Sequence, residues 1–145
     1  MLQPDDLPDG ASDDPPGDES ARPTVLVVVE DEEDMRFMIR ITLAQDPRLV
    51  LLGEAATAEE AIELARGLQP GAVVLDHQLG GRLTGLAAAP LIKAAAPNAK
   101  ILLFTAFDLE QEAEAEDAVD AYLRKDGVKH LLATVDRLVG LEPRR

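Results

Sequence analysis

In this 145-residue chain, several apolar runs stop at a residue able to do chemistry. Glu30 and Asp31 follow "VLVVV", Asp76 follows "AVVL", Thr105 closes "KILLFT" and Lys125 closes "AYLR". From Asp31 onward the separations to Asp76, Thr105 and Lys125 are 45, 29 and 20 residues. If the fold gathers them, three carboxylates, a hydroxyl and an ammonium share one pocket. Clustered carboxylates repel, which raises pKa values, and a divalent cation relieves the repulsion. Mg²⁺ takes hard oxygen ligands, keeps several waters and is usually held by one or two carboxylates. Asp31 and Asp76 suit direct ligation, and Glu30 suits contact through a water. A carboxylate can also attack phosphorus and become an aspartyl phosphate. That reaction needs mainly positioning and neutralisation of charge on the non-bridging oxygens. Mg²⁺ and Lys125 would supply the positive charge, and Thr105 a hydrogen bond.

These residues meet only if the elements between them bring the run ends together. The apolar runs span 24–29, 49–55, 72–76, 100–106 and 121–125. They are continuous rather than alternating, as in parallel strands buried on both faces. Helix-length segments separate them. Residues 31–45 carry Met35, Met38, Ile39, Thr42 and Leu43 on one stripe. Thr57 and Glu60 predict a capping box for a helix over 58–67 closed by Gly67. Asp108 and Gln111 suggest a cap for a helix over 109–118. A last helix over 128–139 presents Leu131, Leu132, Val135, Leu138 and Val139 before Gly140. In the segment after Gly85, Pro90 would clash with the carbonyl four residues back, which predicts a late start or a kink before Pro97. The pattern is (βα)₅, an open doubly wound α/β sheet with right-handed crossovers. Ligands bind such sheets at the carboxyl ends of the strands, where the five polar residues stand.

Composition narrows the function. The net charge of −14 argues against a nucleic-acid surface, which needs basic clusters. The chain has no cysteine, which excludes disulfides and thiolate metal sites. No apolar run reaches the roughly 18–20 residues that span a bilayer, and the acidic N-terminus lacks a signal-peptide layout. The expectation is a cytoplasmic protein without membrane contact. Residues 1–23 hold seven acids against Arg22 and five of the ten prolines, a composition unable to offset its ordering entropy. They are expected to be a disordered tail before a domain over 24–141, with 142–145 as a short C-terminal tail.

Some candidates have simpler roles. Glu32, Glu33 and Asp34 complement a helix dipole without any further function. "GGRLTG" spans Gly80–Gly85 but is followed by Leu86 rather than Lys, so it is no phosphate-binding loop. His77 and His130 have no partner spacing for a transition metal and read as incidental.

Together, "VLVVVED", "AVVLDHQL…G", "ILLFTA" and "AYLRK" resemble the receiver domain of two-component response regulators, the group that includes the chemotaxis regulator, over about 24–140. The resemblance implies the flavodoxin-like (βα)₅ fold with strand order 2-1-3-4-5. It implies that Asp76 is the phosphoacceptor, that Glu30 and Asp31 are the acidic pair, and that the Gln78 backbone carbonyl is a further Mg²⁺ ligand. Thr105 is then the switch hydroxyl, Lys125 its ion-pair partner and Tyr122 the aromatic that reports activation. Gln78 and Phe107 tune hydrolysis, and the apolar Phe107 implies slow phosphate loss. The implied partners are a sensor histidine kinase or phosphotransfer protein and a downstream protein target. The state would be a monomer or a phosphorylation-dependent dimer.

The chain departs from the family in several places. Glu30 stands for the usual Asp, Gly80 for a Pro, and Gly85 comes nine residues after Asp76, lengthening the loop. Asp126 replaces the proline that usually follows the lysine, so that bond is expected to be trans, since a non-proline cis bond costs about 3–4 kcal/mol. The main reading is a signalling switch that catalyses only its own phosphoryl transfer and loss, with a degenerate, phosphorylation-independent binding module as the alternative. A phosphatase with an aspartate nucleophile would want an acid two residues after Asp76, where Gln78 stands. No helix-turn-helix follows Gly140, so output is expected through protein contact or phosphate relay. The acidic run from Glu110 through Glu112, Glu114, Glu116 and Asp117 is expected to meet a basic partner patch.

Overall fold

The computed structural model describes residues 23–142. The proline-rich segment read as a tail, apart from Pro23, lies outside the described residues, as do residues 143–145. Five parallel strands are formed: β1 (Thr24–Val29), β2 (Leu49–Ala55), β3 (Ala72–Leu75), β4 (Lys100–Thr105) and β5 (Ala121–Arg124). They pair in the order β2-β1-β3-β4-β5, the flavodoxin-like arrangement. The crossover helices are α1 (Glu33–Leu43), α2 (Ala58–Leu68), α3 (Gly85–Ala95) and α4 (Glu110–Ala115), with α5 (Leu131–Leu138) after the last strand.

The continuous apolarity of the strands has its physical counterpart in two cores. Val27, Val29, Val73, Leu75, Ile101 and Leu103 pack toward Ala61, Ala65, Ala88 and Ile92 of α2 and α3. The alternate residues Leu26, Val28, Val74, Leu102 and Phe104 pack toward Ile39 and Leu43 of α1 and Leu131 and Val135 of α5. The three central strands, β1, β3 and β4, are therefore covered on both faces, as the interior of a doubly wound sheet requires, while the edge strands β2 and β5 are partly exposed. Among the described residues, no helix is long and apolar enough to cross a membrane.

The local signals were met unevenly. The Thr57 hydroxyl accepts from the Glu60 N–H at 3.2 Å, and Glu60 Oε1 accepts from the Ala56 N–H at 2.9 Å, so the box closes one residue early. Helix α2 does not stop at Gly67. It runs to Leu68 and ends on Gln69, a left-handed residue with φ 47°. The Gln69 amide donates to the carbonyls of Ala65, Arg66 and Ala95, which tethers the ends of α2 and α3. Helix α3 starts at Gly85 without delay, capped by the Thr84 hydroxyl, and continues through Pro90. Pro90 lies on the exposed face, where water can reach the carbonyl that its missing N–H leaves unpaired. Helix α4 is shorter than expected and has no side-chain cap from Asp108, since Leu109 holds the N-cap position. Glu114, Glu116 and Asp117 crowd its C-terminal end, where the helix dipole disfavours negative charge. The segment expected to open the last helix is instead a 3₁₀ turn over Lys125–His130. Gly140 (φ +80°) ends the helical region as expected.

Gly85 is the position where packing is tightest around a candidate site residue. A Cβ there would overlap the Asp76 carbonyl. Its N–H donates to the His77 carbonyl at 2.8 Å, closing the lengthened loop between β3 and α3. Gly85→Ala must push the backbone after β3 aside. The expected loss is about 1–3 kcal/mol, the usual range for overpacking, measured by chemical denaturation.

Candidate functional site

Strand β1 ends at Val29 and β3 at Leu75, and the two residues pair in register. Glu30 and Asp76, each the next residue, therefore emerge side by side from the sheet's carboxyl edge. Lys125 follows the end of β5. Glu30 is 1% and Asp76 5% exposed. Lys125 Nζ lies 2.8 Å from Glu30 Oε1 and 3.1 Å from Asp76 Oδ2. The Asp76 contact is an aligned hydrogen bond. The Glu30 contact is ionic, and Oε1 receives no well-oriented hydrogen bond. Glu30 Oε2 accepts from the Glu32 N–H at 3.1 Å, and Asp76 Oδ1 from the His77 N–H at 2.7 Å. The Asp31 carboxylate is exposed.

Burial raises the Glu30 carboxyl above its ordinary pKa, and the neighbouring Asp76 charge adds to this against the pull of Lys125. Burial opposes the charge on Lys125 as well, yet Glu30 and Asp76 offset it and hold the ammonium above the usual lysine value. One ammonium thus faces an acidic cluster that it does not saturate. Oxygens of Glu30, Asp31 and Asp76 lie within 4.8 Å of one another. An all-oxygen set at this spacing, three carboxylates facing a single ammonium, fits Mg²⁺ chemistry. The pocket over these groups holds about 410 Å³ and is lined by Glu30, Asp31, Glu32, Asp76, Gln78 and Lys125.

The remaining candidates lie around this pocket rather than in it. Thr105 is fully buried, and its hydroxyl accepts from the Phe107 N–H at 3.4 Å. The Tyr122 hydroxyl donates to the Phe107 carbonyl at 2.6 Å and accepts from the Leu109 N–H at 3.1 Å. Thr105 and Tyr122 thereby hold the same loop, at Phe107 and Leu109. Phe107 is 45% exposed and meets His77 edge-on, with ring centroids 6.0 Å apart. His77 is less incidental than its sequence context suggests, because Nδ1 accepts from the Leu86 N–H at 3.4 Å across the loop. No cis peptide occurs among the described residues, so the Lys125–Asp126 bond is trans.

Sequence reasoning passed over Arg36, whose Nη1 donates to the Glu30 carbonyl at 2.7 Å. A base next to Met35, on a helix whose first turn is otherwise acidic, was the available signal.

Residues 26–136 match the family model described as the response regulator receiver domain. The nitrate/nitrite response regulator protein NarL of Escherichia coli (strain K12) is 26% identical over 106 residues, covering 72% of this chain and 49% of that protein. A protein-glutamate methylesterase/protein-glutamine glutaminase of Geobacter sulfurreducens is 31% identical over 96 residues, covering 66% of this chain and 26% of that protein. The chain thus spans about half the length of the first relative and about a quarter of the second. Among solved structures, a LuxR-family two-component response regulator from Aurantimonas sp. SI85-9A1 superposes with TM-score 0.74 at 26% identity, covering 81% of this chain and 86% of that one. The response regulator domain of Thermotoga maritima CheB gives TM-score 0.73 at 20% identity, covering 84% of this chain and all of that one. That likeness bears on the fold alone.

Proposed function

This chain belongs to the response regulator receiver domain family, and from that premise we propose that Asp76 accepts a phosphoryl group and that the resulting aspartyl phosphate switches protein–protein contacts. One observation carries the reading: the buried Asp76 carboxylate lies 3.1 Å from Lys125, in a cluster with Glu30 and Asp31. Asp76 attacks phosphorus through a carboxylate oxygen. The bond from phosphorus to the donor's histidine nitrogen breaks, and its electron pair leaves with the imidazole. Asp31, Asp76 and the Gln78 carbonyl would hold Mg²⁺, with Glu30 acting through a water. When bound, the cation neutralises charge on the transferring oxygens. Lys125 then exchanges part of its contact with Asp76 for a phosphoryl oxygen. Thr105 turns its hydroxyl from the Phe107 N–H toward the phosphoryl group. Because Tyr122 holds the same loop, that movement is felt at the β5 face. The donor in this reading is a sensor histidine kinase or a phosphotransfer protein.

Incubating the chain with Mg²⁺ and a small acyl phosphate is expected to add the mass of one phosphoryl group, and chelation is expected to prevent it. No gain under any donor would favour a binding module that works without phosphorylation.

Phosphate loss is expected to be slow. Phe107 stands beside His77 at the rim and offers no group that could orient an attacking water. Phe107→Asn should shorten the phosphoryl half-life several-fold in a chase monitored by mass, and equal half-lives would remove the shielding argument.

The exposed acids of α4 provide a further test. Glu110, Glu112 and Glu114 are exposed, whereas Glu116 is occupied by the Ala118 N–H at 3.1 Å. Glu110 and Glu114 rim a groove of about 330 Å³ that reaches Tyr122. Reversing charge at Glu112 and Glu114 should weaken capture of the downstream partner, most clearly at low salt, where such attraction is least screened.

A further inference from the structure

We infer that Arg36 is a positioning residue for the cation site: by holding the Glu30 carbonyl, it aims the Asp31 carboxylate into the acidic pocket. The inference rests on the Mg²⁺ reading above and adds a residue to it.

The Asp31 side chain is exposed, and no hydrogen bond or ion pair to another described residue orients it. What directs it is the peptide joining it to Glu30. The Glu30 N–H is tied to the Ala55 carbonyl at 2.8 Å, and the Glu30 carboxylate accepts from the Glu32 N–H. The Glu30 carbonyl, which sets the plane of the 30–31 peptide, accepts from Arg36 Nη1 at 2.7 Å. Arg36 is itself held, since its Nε lies 3.4 Å from Glu54 Oε1 on β2. Arg40 grips Glu54 with two hydrogen bonds of 2.7 and 2.9 Å, which lowers the Glu54 pKa and keeps the carboxylate charged. A guanidinium fork suits this task because it can give separate donors to a carbonyl and a carboxylate at fixed angles. The β1–α1 turn is thus braced against both α1 and β2 by one side chain.

Arg36 could instead act only through its charge, and the two roles differ in sign. A guanidinium beside an acidic cluster repels a cation, so on Coulombic grounds its removal tightens Mg²⁺ binding. If Arg36 sets the direction of Asp31, its removal weakens binding.

The test is calorimetric titration of Mg²⁺ into the full chain, with thermal melting in chelator as a separate measure of folding. Arg36→Met should weaken Mg²⁺ about tenfold, within the roughly 10–100-fold cost of losing a partner that orients a metal ligand. Arg36→Lys keeps the charge but has a single donor nitrogen that cannot span both acceptors, so its loss should be smaller, and it provides the comparison if the methionine variant melts early. Glu54→Gln leaves the guanidinium on the carbonyl and should lose less than Arg36→Met. Unchanged or tighter binding in both Arg36 variants would overturn the assignment, as would an equal loss in Glu54→Gln. Wild type that binds no Mg²⁺ would instead overturn the reading of the site on which the inference rests.

Discussion

Asp76→Asn is expected to take up no phosphoryl group from any donor while remaining folded. The amide matches the carboxylate in shape but is not a nucleophile toward phosphorus. Folding should survive because the substitution removes one of the like charges crowded around Lys125, and the Asp76 charge is among the causes that raise the Glu30 pKa. With that charge gone, the Glu30 carboxyl should titrate closer to its ordinary value. Intact-mass measurement after incubation with Mg²⁺ and a small acyl phosphate checks the first point, and denaturation in chelator checks the second. Retained phosphorylation in this variant would place the acceptor elsewhere.

Lys125→Met is expected to lower the phosphorylation rate by about 10²–10³-fold, the scale seen when one preorganised donor is removed from a charged transition state. It should also cost metal-free stability. Glu30 and Asp76 are buried and would lose their shared counter-charge, and breaking a buried pair on one side costs about 3–5 kcal/mol. The Lys125 side chain is 16% exposed, so the lower end applies. Mg²⁺ should recover part of the loss in the variant, because a cation can replace the missing charge. The alkaline limb gives an independent check. The folded-state pKa of Lys125 is raised above 10.5, so its contribution to stability is complete below that value and lost as pH rises through the folded-state pKa. Thermal melts from pH 9 upward should therefore fall for wild type more steeply than for Lys125→Met.

The strands could be read from the sequence because the central ones, buried on both faces, are continuous apolar runs in which residues such as Val27 and Val28 serve opposite cores, whereas their order followed from the family resemblance. The polar residues after those runs were visible for the same reason: a charge directly after a buried strand is conspicuous. Boundaries that depend on one local interaction were less visible. Gly67 offered a plausible helix stop, yet Gln69 ended α2 because its side chain could reach three carbonyls, one of them on α3. Pro90 suggested a break, but exposure lets α3 accommodate it.

Polar contacts away from the strand ends left little trace in the residue pattern. Asp46 is fully buried and Asp136 nearly so, and Arg48 bridges them, with Nη2 lying 2.8 Å from Asp46 Oδ2 and 3.5 Å from Asp136 Oδ2. The Arg48 hydrogen bonds hold the Asp46 carboxyl far below its usual range. Stability from that contact is present above the ordinary carboxylate pKa and is lost as pH falls through the depressed value. Nothing in the spacing of residues 46, 48 and 136 announced this cluster. Arg36 stood out only as a base after acidic neighbours, and its role was missed because its acceptor is a backbone carbonyl six residues earlier, which no side-chain pattern marks.

The central claim is that Asp76 is the group that captures phosphorus. Its most direct test is to treat the chain with Mg²⁺ and an acyl phosphate, reduce it with borohydride and sequence the peptides by tandem mass spectrometry. Reduction converts an aspartyl phosphate to homoserine, and the account predicts homoserine at position 76 alone, dependent on Mg²⁺. Homoserine at another acidic residue, or none in a chain that has gained a phosphoryl group, would contradict it.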